Sequence, residues 1–167
     1  MNFFPGPSQL HPNVEMHMQK ALSKGLLSRN HRSPVFHRIY EQTVENLKHF
    51  LEIPEDYSLF FTSSATECWE IIAESWTVKS YHIFNGAFGK KWFNNASLLT
   101  QTESCEFGVN EWPTLRGTNA NIICYTANET ANGTIVYPFA ENIRNFYPDK
   151  LIAVDAVSSL GGIKHNL

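Results

Sequence analysis

After Pro54 the sequence alternates short runs suited to strands with longer stretches of helical periodicity. This alternation limits the possible folds more than any other feature. Tyr57 to Thr62 reads as a strand, followed by Ser63-Ser64 and a helical stretch to about Val78. Tyr81 to Phe84 reads as a second strand, then Asn85-Gly86 and a helix from about Gly89 to Leu98. Gln101 to Phe107 suits an edge strand, and Asn121 to Thr126 encloses the apolar run Ile-Ile-Cys-Tyr expected of a buried one. Pro138 opens a helix to about Phe146, and Leu151 to Val157 reads as a further buried strand carrying Asp155 at its end. Strands alternating with helices predict an α/β fold with a mostly parallel sheet covered on both faces.

The front of the chain reads differently. Phe4-Pro5-Gly6-Pro7-Ser8 suits an extended turn. Pro12 to Leu27 carries Val14, Met18, Ala21 and Leu22 at helical spacing, with Gly25 near its end. A polar link over 28–33 holds His31-Arg32. Pro34 then opens a helix with Phe36, Ile39, Tyr40, Val44, Leu47 and Leu51 on one face, closed by Pro54. The expected division is therefore a helical segment and loop over 1–53 and an α/β domain over 54–167.

With 43 % hydrophobic and 17 % charged residues, the composition excludes a disordered chain. The net charge of −3, with no long basic run, argues against nucleic acid or an anionic membrane as partner. Cys68, Cys105 and Cys124 are odd in number and form no CxxC, so no disulfide framework is expected and a reducing cytoplasm is the default. The N-terminus has no signal-peptide pattern, and no apolar run reaches membrane-spanning length. No HExxH or CxxC supports a metal site, and Ser158-Ser159 lacks the surroundings of a nucleophile elbow.

In a parallel sheet, ligands sit beyond the C-terminal ends of the strands. The polar groups expected there are Ser63-Ser64-Ala65-Thr66, Asn85-Gly86, Asn128-Glu129-Thr130 and Asp155. At a helix start, small hydroxylated residues can cradle an anion, or can simply cap the helix. Asp155 at the end of a buried strand needs a partner, which a pyridinium N–H or an Asx turn would supply. Phe88, in a turn of small residues, could stack on a planar ligand or pack in the core. Arg32 offers a planar fork for phosphate or carboxylate, and the His31-Arg32 pair can equally lie in a solvated loop.

Six segments, in order, resemble class V aminotransferases, which are fold-type-I pyridoxal-phosphate (PLP) enzymes. They are Phe-Pro-Gly-Pro-Ser (4–8), His-Arg-Ser-Pro-Val-Phe (31–36), Thr-Ser-Ser-Ala-Thr-Glu (62–67), Asn-Gly-Ala-Phe-Gly-Lys (85–90), Asn-Glu-Thr-Ala-Asn-Gly (128–133) and Val-Asp-Ala-Val-Ser-Ser-Leu-Gly-Gly (154–162). The early His-Arg-Ser makes the chain most similar to the phosphoserine aminotransferase group. The resemblance implies a partial large domain of that fold, PLP as cofactor, amino-acid and 2-oxo-acid substrates, a role in amino-acid biosynthesis, and a homodimer. It implies that Ser64, Ala65 and Thr66 meet the PLP phosphate and that Phe88, where many phosphoserine enzymes have Trp, stacks on the ring. It further implies that Thr130 bonds the ring hydroxyl, that Asp155 pairs with the ring nitrogen, and that His31 and Arg32 hold a substrate phosphate across the dimer interface.

The family's Schiff-base lysine usually follows Gln on a later strand, so the catalytic lysine is expected to be absent from these 167 residues, which read either as a fragment of a longer enzyme or as a truncated gene product. Lys164 has no preceding Gln and is expected at the surface. The alternatives are a serine– or alanine–glyoxylate aminotransferase, a cysteine-desulfurase relative, or a non-catalytic domain of the same fold that binds an anion or a partner.

Overall fold

The computed structural model describes residues 9–165, so the Pro-Gly-Pro turn expected over 4–8 lies outside the described residues. The chain forms two compact units, one within residues 1–59 and one from Phe60 on.

The first unit is helical. Helix α1 spans Asn13–Ser23, and the backbone turns at Gly25, whose φ of 61° is left-handed and suits glycine. A single 3-10 turn follows at Leu26–Ser28, so the helix expected to reach Leu27 stops short. Helix α2 spans Pro34–Leu51. Ser33 caps it by accepting from Phe36 N at 3.3 Å, and Pro34 occupies the first turn, where a missing N–H costs nothing. The helix ends ahead of Pro54, at Glu52, a left-handed residue with φ 53°. Neither helix contains a buried residue: Phe36, Ile39 and Tyr40 line one face of α2 yet remain exposed.

The second unit contains α3 (Ala65–Ser75), β1 (Lys79–Phe84), α4 (Ala87–Ser97), β2 (Gln101–Glu106) and β3 (Ile122–Thr126). A hairpin of β4 (Asn128–Glu129) and β5 (Thr134–Ile135), α5 (Ala140–Phe146) and β6 (Leu151–Asp155) follow. Strands β2-β1-β3-β6 form one sheet in that order, all parallel, with registers such as Ser80↔Ile122 and Ile122↔Leu151.

Side chains alternate across this sheet with the period of two that a pleated strand imposes. Tyr81, Ile83, Ile123 and Tyr125 point to a core closed by Ile143 of α5 and by Tyr147. Ile122 and Cys124 point the other way, against Trp69 of α3 and Trp92 of α4, whose rings stack at 5.8 Å. His82 shares that second face, with its ring edge-on to Trp92 at 5.4 Å. The helices thus cover both faces, as the alternation predicts.

Two expectations need correction. Tyr57 to Thr62 is not a strand, and Phe60 and Phe61 are exposed. An apolar run becomes a strand only by pairing, and no described strand pairs with it. The strand carrying Asp155 is not buried either: β6 sits at the edge of the described sheet, with Leu151 and Val154 exposed.

Candidate functional site

The chain runs from β1 outward to β2, then passes back over β1 to reach β3 and β6. The strand order therefore reverses between β1 and β3, and in open α/β sheets this is where the loops part and ligands bind. The segments leaving β1, β3 and β6 all emerge at the same rim because the strands are parallel.

After β1 the chain passes through Asn85-Gly86 straight into α4. Gly89 lets this helix lie close on the sheet: a Cβ there would come within 2.4 Å of Phe84 Cβ and 3.0 Å of Thr126 Oγ1. Phe88, in the first turn of α4, is 46 % exposed, so core packing is not its occupation.

After β3 comes the hairpin, which the sequence reading missed. Gly133 turns it with φ 73°, and Asn132 Oδ1 accepts from Thr134 N at 3.0 Å. Asn132 Nδ2 donates to Asn85 O at 2.9 Å, and Asn85 Nδ2 donates to Thr134 Oγ1 at 2.8 Å, which fastens the hairpin to the end of β1. Thr130, in the hairpin loop, shares a hydrogen bond with the Ser158 hydroxyl beyond β6.

Asp155 ends β6. Its Oδ1 accepts from Val157 N at 3.1 Å, and its main-chain carbonyl accepts from Ala127 N at 2.8 Å. Burial pushes its carboxyl above the ordinary range, and the negative Glu129 pushes it further, against the opposing Val157 N–H and Trp69 indole. The Asx turn is therefore present, but it does not fully compensate the carboxylate.

Ser64 caps α3, its Oγ accepting from Glu67 N at 3.2 Å. Glu67 reaches back so that its Oε2 accepts from the Ser63 hydroxyl and Ser63 N, both at 2.6 Å; these bonds, the hydroxyl's first, hold its carboxyl below the usual range. The first-turn N–H groups of Ala65 and Thr66 have no intrahelical acceptor. Trp69, one turn further on, contributes only a small opposing effect on the Asp155 carboxyl.

The structure thus brings Phe88, Thr130 and Asp155 to one rim, with Ser64, Ala65 and Thr66 at the start of the helix carrying Trp69. His31 and Arg32 belong to the other unit, in the exposed turn before α2, where Arg32 N donates to Asn30 Oδ1 at 2.8 Å. Lys164 is exposed. Among the described residues no cluster of His, Cys, Asp or Glu could hold a metal ion, and no helix is long and apolar enough to cross a membrane. A groove between α1 and α2 and another between the hairpin and the 107–112 loop do not include Asp155, Thr130 or Phe88.

The fold and this rim define an α/β protein with a cluster of polar groups at the switch point of a parallel sheet. The class V aminotransferase family model matches residues 1–84, and the chain belongs to that family. It is 27 % identical over 175 residues to a phosphoserine aminotransferase of Lactococcus lactis subsp. cremoris, covering 91 % of this chain and 47 % of that protein. The crystal structure of a phosphoserine aminotransferase from Cytophaga hutchinsonii superposes with a TM-score of 0.88 and 38 % identity, over 97 % of this chain and 47 % of that one. A PLP-bound phosphoserine aminotransferase from Trichomonas vaginalis shares the fold, with a TM-score of 0.65 and 18 % identity over 78 % of this chain and 45 % of that one. The chain spans about half the length of the curated relatives it matches.

Proposed function

We propose that the complete protein is a PLP-dependent transaminase of the phosphoserine aminotransferase type, to which this chain contributes part of the cofactor-binding large domain. The observation that carries the reading is Asp155, a partly buried carboxylate at a strand end with its proton affinity raised and one N–H on Oδ1. Such a group gains most from a cationic N–H donor, and the pyridine nitrogen of PLP supplies one when protonated.

The rest of the rim fits the same ligand. Phe88 presents an exposed ring that would cover one face of a planar cofactor and exclude water from it. Thr130 has a hydroxyl at the hairpin loop to orient the ring oxygen. Ala65 and Thr66 offer first-turn N–H groups, and Ser64 a hydroxyl, to the phosphate. Glu67 restricts this cradle, because it has already engaged the Ser63 donors and adds negative charge beside it. Bound PLP supplies an electron sink for chemistry at the amino-acid α-carbon. Asp155 would keep the ring nitrogen protonated. His31 and Arg32 would hold the phosphate of the substrate from a neighbouring subunit of a homodimer. With three free cysteines, the protein would work in the reducing cytoplasm, in amino-acid biosynthesis.

The test is amino-group transfer between phosphoserine and 2-oxoglutarate by the complete protein, with and without added PLP. PLP-dependent turnover is expected. A protein that binds no PLP, or that transfers amino groups only from serine or alanine to glyoxylate, would overturn the assignment.

A further inference from the structure

Glu129 is given no ligand contact in the reading above, yet it is the only acidic residue found fully enclosed among the described residues, with 0 % exposure. Its Oε2 accepts from Gly89 N at 3.0 Å and Phe88 N at 3.2 Å. Its Oε1 accepts from Ala131 N at 3.1 Å, with Phe88 N at 3.3 Å. The donors belong to two elements, the first turn of α4 and the hairpin loop. Gly86, at the N-cap of α4, supplies no side-chain cap, so a residue some forty positions away does that work.

The space confirms the pairing. Gly86 has φ −159°, an extended conformation open to any residue, so its backbone does not call for glycine. The packing does: a Cβ at 86 would lie 2.2 Å from Glu129 Cγ, 2.6 Å from Cδ and 2.9 Å from Oε2. The empty side-chain position is the slot into which the glutamate fits.

We propose that Glu129 is the positioning residue of this rim: its enclosed carboxylate, received by Gly86, ties the start of α4 to the hairpin and fixes Phe88 and Thr130 relative to each other. Phe88 is itself one of the donors, and Thr130 lies between Glu129 and the donor Ala131. The link to cofactor binding rests on the function proposed above. The clamp also places a negative charge where Asp155 senses it, which strengthens the demand of Asp155 for a cationic partner.

The experiment uses the complete protein with Glu129→Gln, which keeps the shape but turns an amide NH2 toward some of the donors. Amide hydrogen exchange at Phe88, Gly89 and Ala131 should accelerate about tenfold or more, while amides of β1 and β3 keep their protection. The PLP dissociation constant should rise by about tenfold, and the visible circular dichroism of bound PLP should weaken as its ring contacts loosen. Gly86→Ala should reproduce these changes alone but add little to Glu129→Ala, because the shortened side chain no longer meets the new methyl. Unchanged exchange at the three amides overturns the proposal, as does an additive Gly86→Ala effect or an unaltered PLP affinity in the Gln variant. If the unmodified protein binds no PLP, the functional reading fails, while exchange and the double variant still decide the clamp.

Discussion

Lowering the pH should destabilise the second unit through His82. This ring lies 2 % exposed on the central pair of strands, beneath Trp92 and Phe93 at 5.4 and 5.7 Å, with Nε2 2.9 Å from Ser80 Oγ. In register beside it are Ser104 and Cys124, and none of these neighbours is an anion. Burial therefore pushes its pKa down to about 4. Unfolding returns it to about 6.5, so between these values the unfolded chain holds a proton that the folded chain does not. The contribution is complete above about pH 6.5 and is lost as pH falls toward 4. At 1.36 kcal/mol per unit the whole loss is about 3 kcal/mol, of which about 2 falls between pH 7 and 4.5. Glu67 and Glu103, with lowered pKa values, also lose stability in acid, whereas the raised Asp155 works in the opposite sense. The absolute pH curve is their sum, so the informative quantity is a difference. Urea unfolding of the cofactor-free protein and of His82→Leu should be followed from pH 7 to 4.5. The unmodified protein should lose about 2 kcal/mol more than the variant. Parallel curves would mean that His82 is solvated or charged in the fold, and the argument from burial would be wrong.

Gly89→Ala should lower the melting temperature: the new methyl meets Phe84 Cβ at 2.4 Å, and overpacking of about 1–3 kcal/mol outweighs the helix-propensity gain of about 1 kcal/mol. In the complete protein, if the proposed transaminase reading holds, Asp155→Asn should leave the far-ultraviolet circular dichroism intact yet reduce amino-group transfer by at least about tenfold, the value of one charge-assisted bond; undiminished turnover would make Asp155 a turn cap only. If His31 and Arg32 hold a substrate phosphate as proposed, Arg32→Ala in the complete protein should cost at least about tenfold in kcat/KM for phosphoserine and much less for serine or alanine, provided the variant's assembly state is unchanged. Equal losses on both kinds of substrate would give Arg32 a structural role.

The sequence made the periodic elements legible. Helix α2 has an unbroken apolar face between Ser33-Pro34 and Pro54, and β3 is a run of apolar residues buried on both faces, so each declares itself locally. Tyr57–Thr62 and β6 misled for one reason: pairing and edge position belong to the sheet, and apolar residues look alike whether or not a neighbour covers them. The hairpin was readable, since Asn132-Gly133 is a strong turn signal, but its strands of two residues each are too short to show alternation. That the segments after β1, β3 and β6 share one rim was legible, because parallel strands all end on the same side; the strand order that sets β1 beside β3 was not. What Glu129 does was not legible, because its partners are main-chain N–H groups, which every residue but proline possesses.

The bonds that fasten the segments of the rim to one another join distant parts of the chain. Gly89 meets Glu129 across 40 residues, Asn85 meets Thr134 across 49, and Thr130 meets Ser158 across 28. Each closes a long loop, whose entropy must be met before the bond returns anything. The α3, β1 and α4 stretch can gather early through near neighbours, but the rim cannot form until β3 and β6 have docked. During synthesis the ribosome must therefore release Ser158 before Thr130 finds its partner, which makes this rim one of the last parts of the unit to mature. A nick in the 107–120 connection would leave β1, α4 and β2 contiguous while separating Phe88 from Thr130 along the chain, so the rim should come apart at a lower denaturant concentration than those elements.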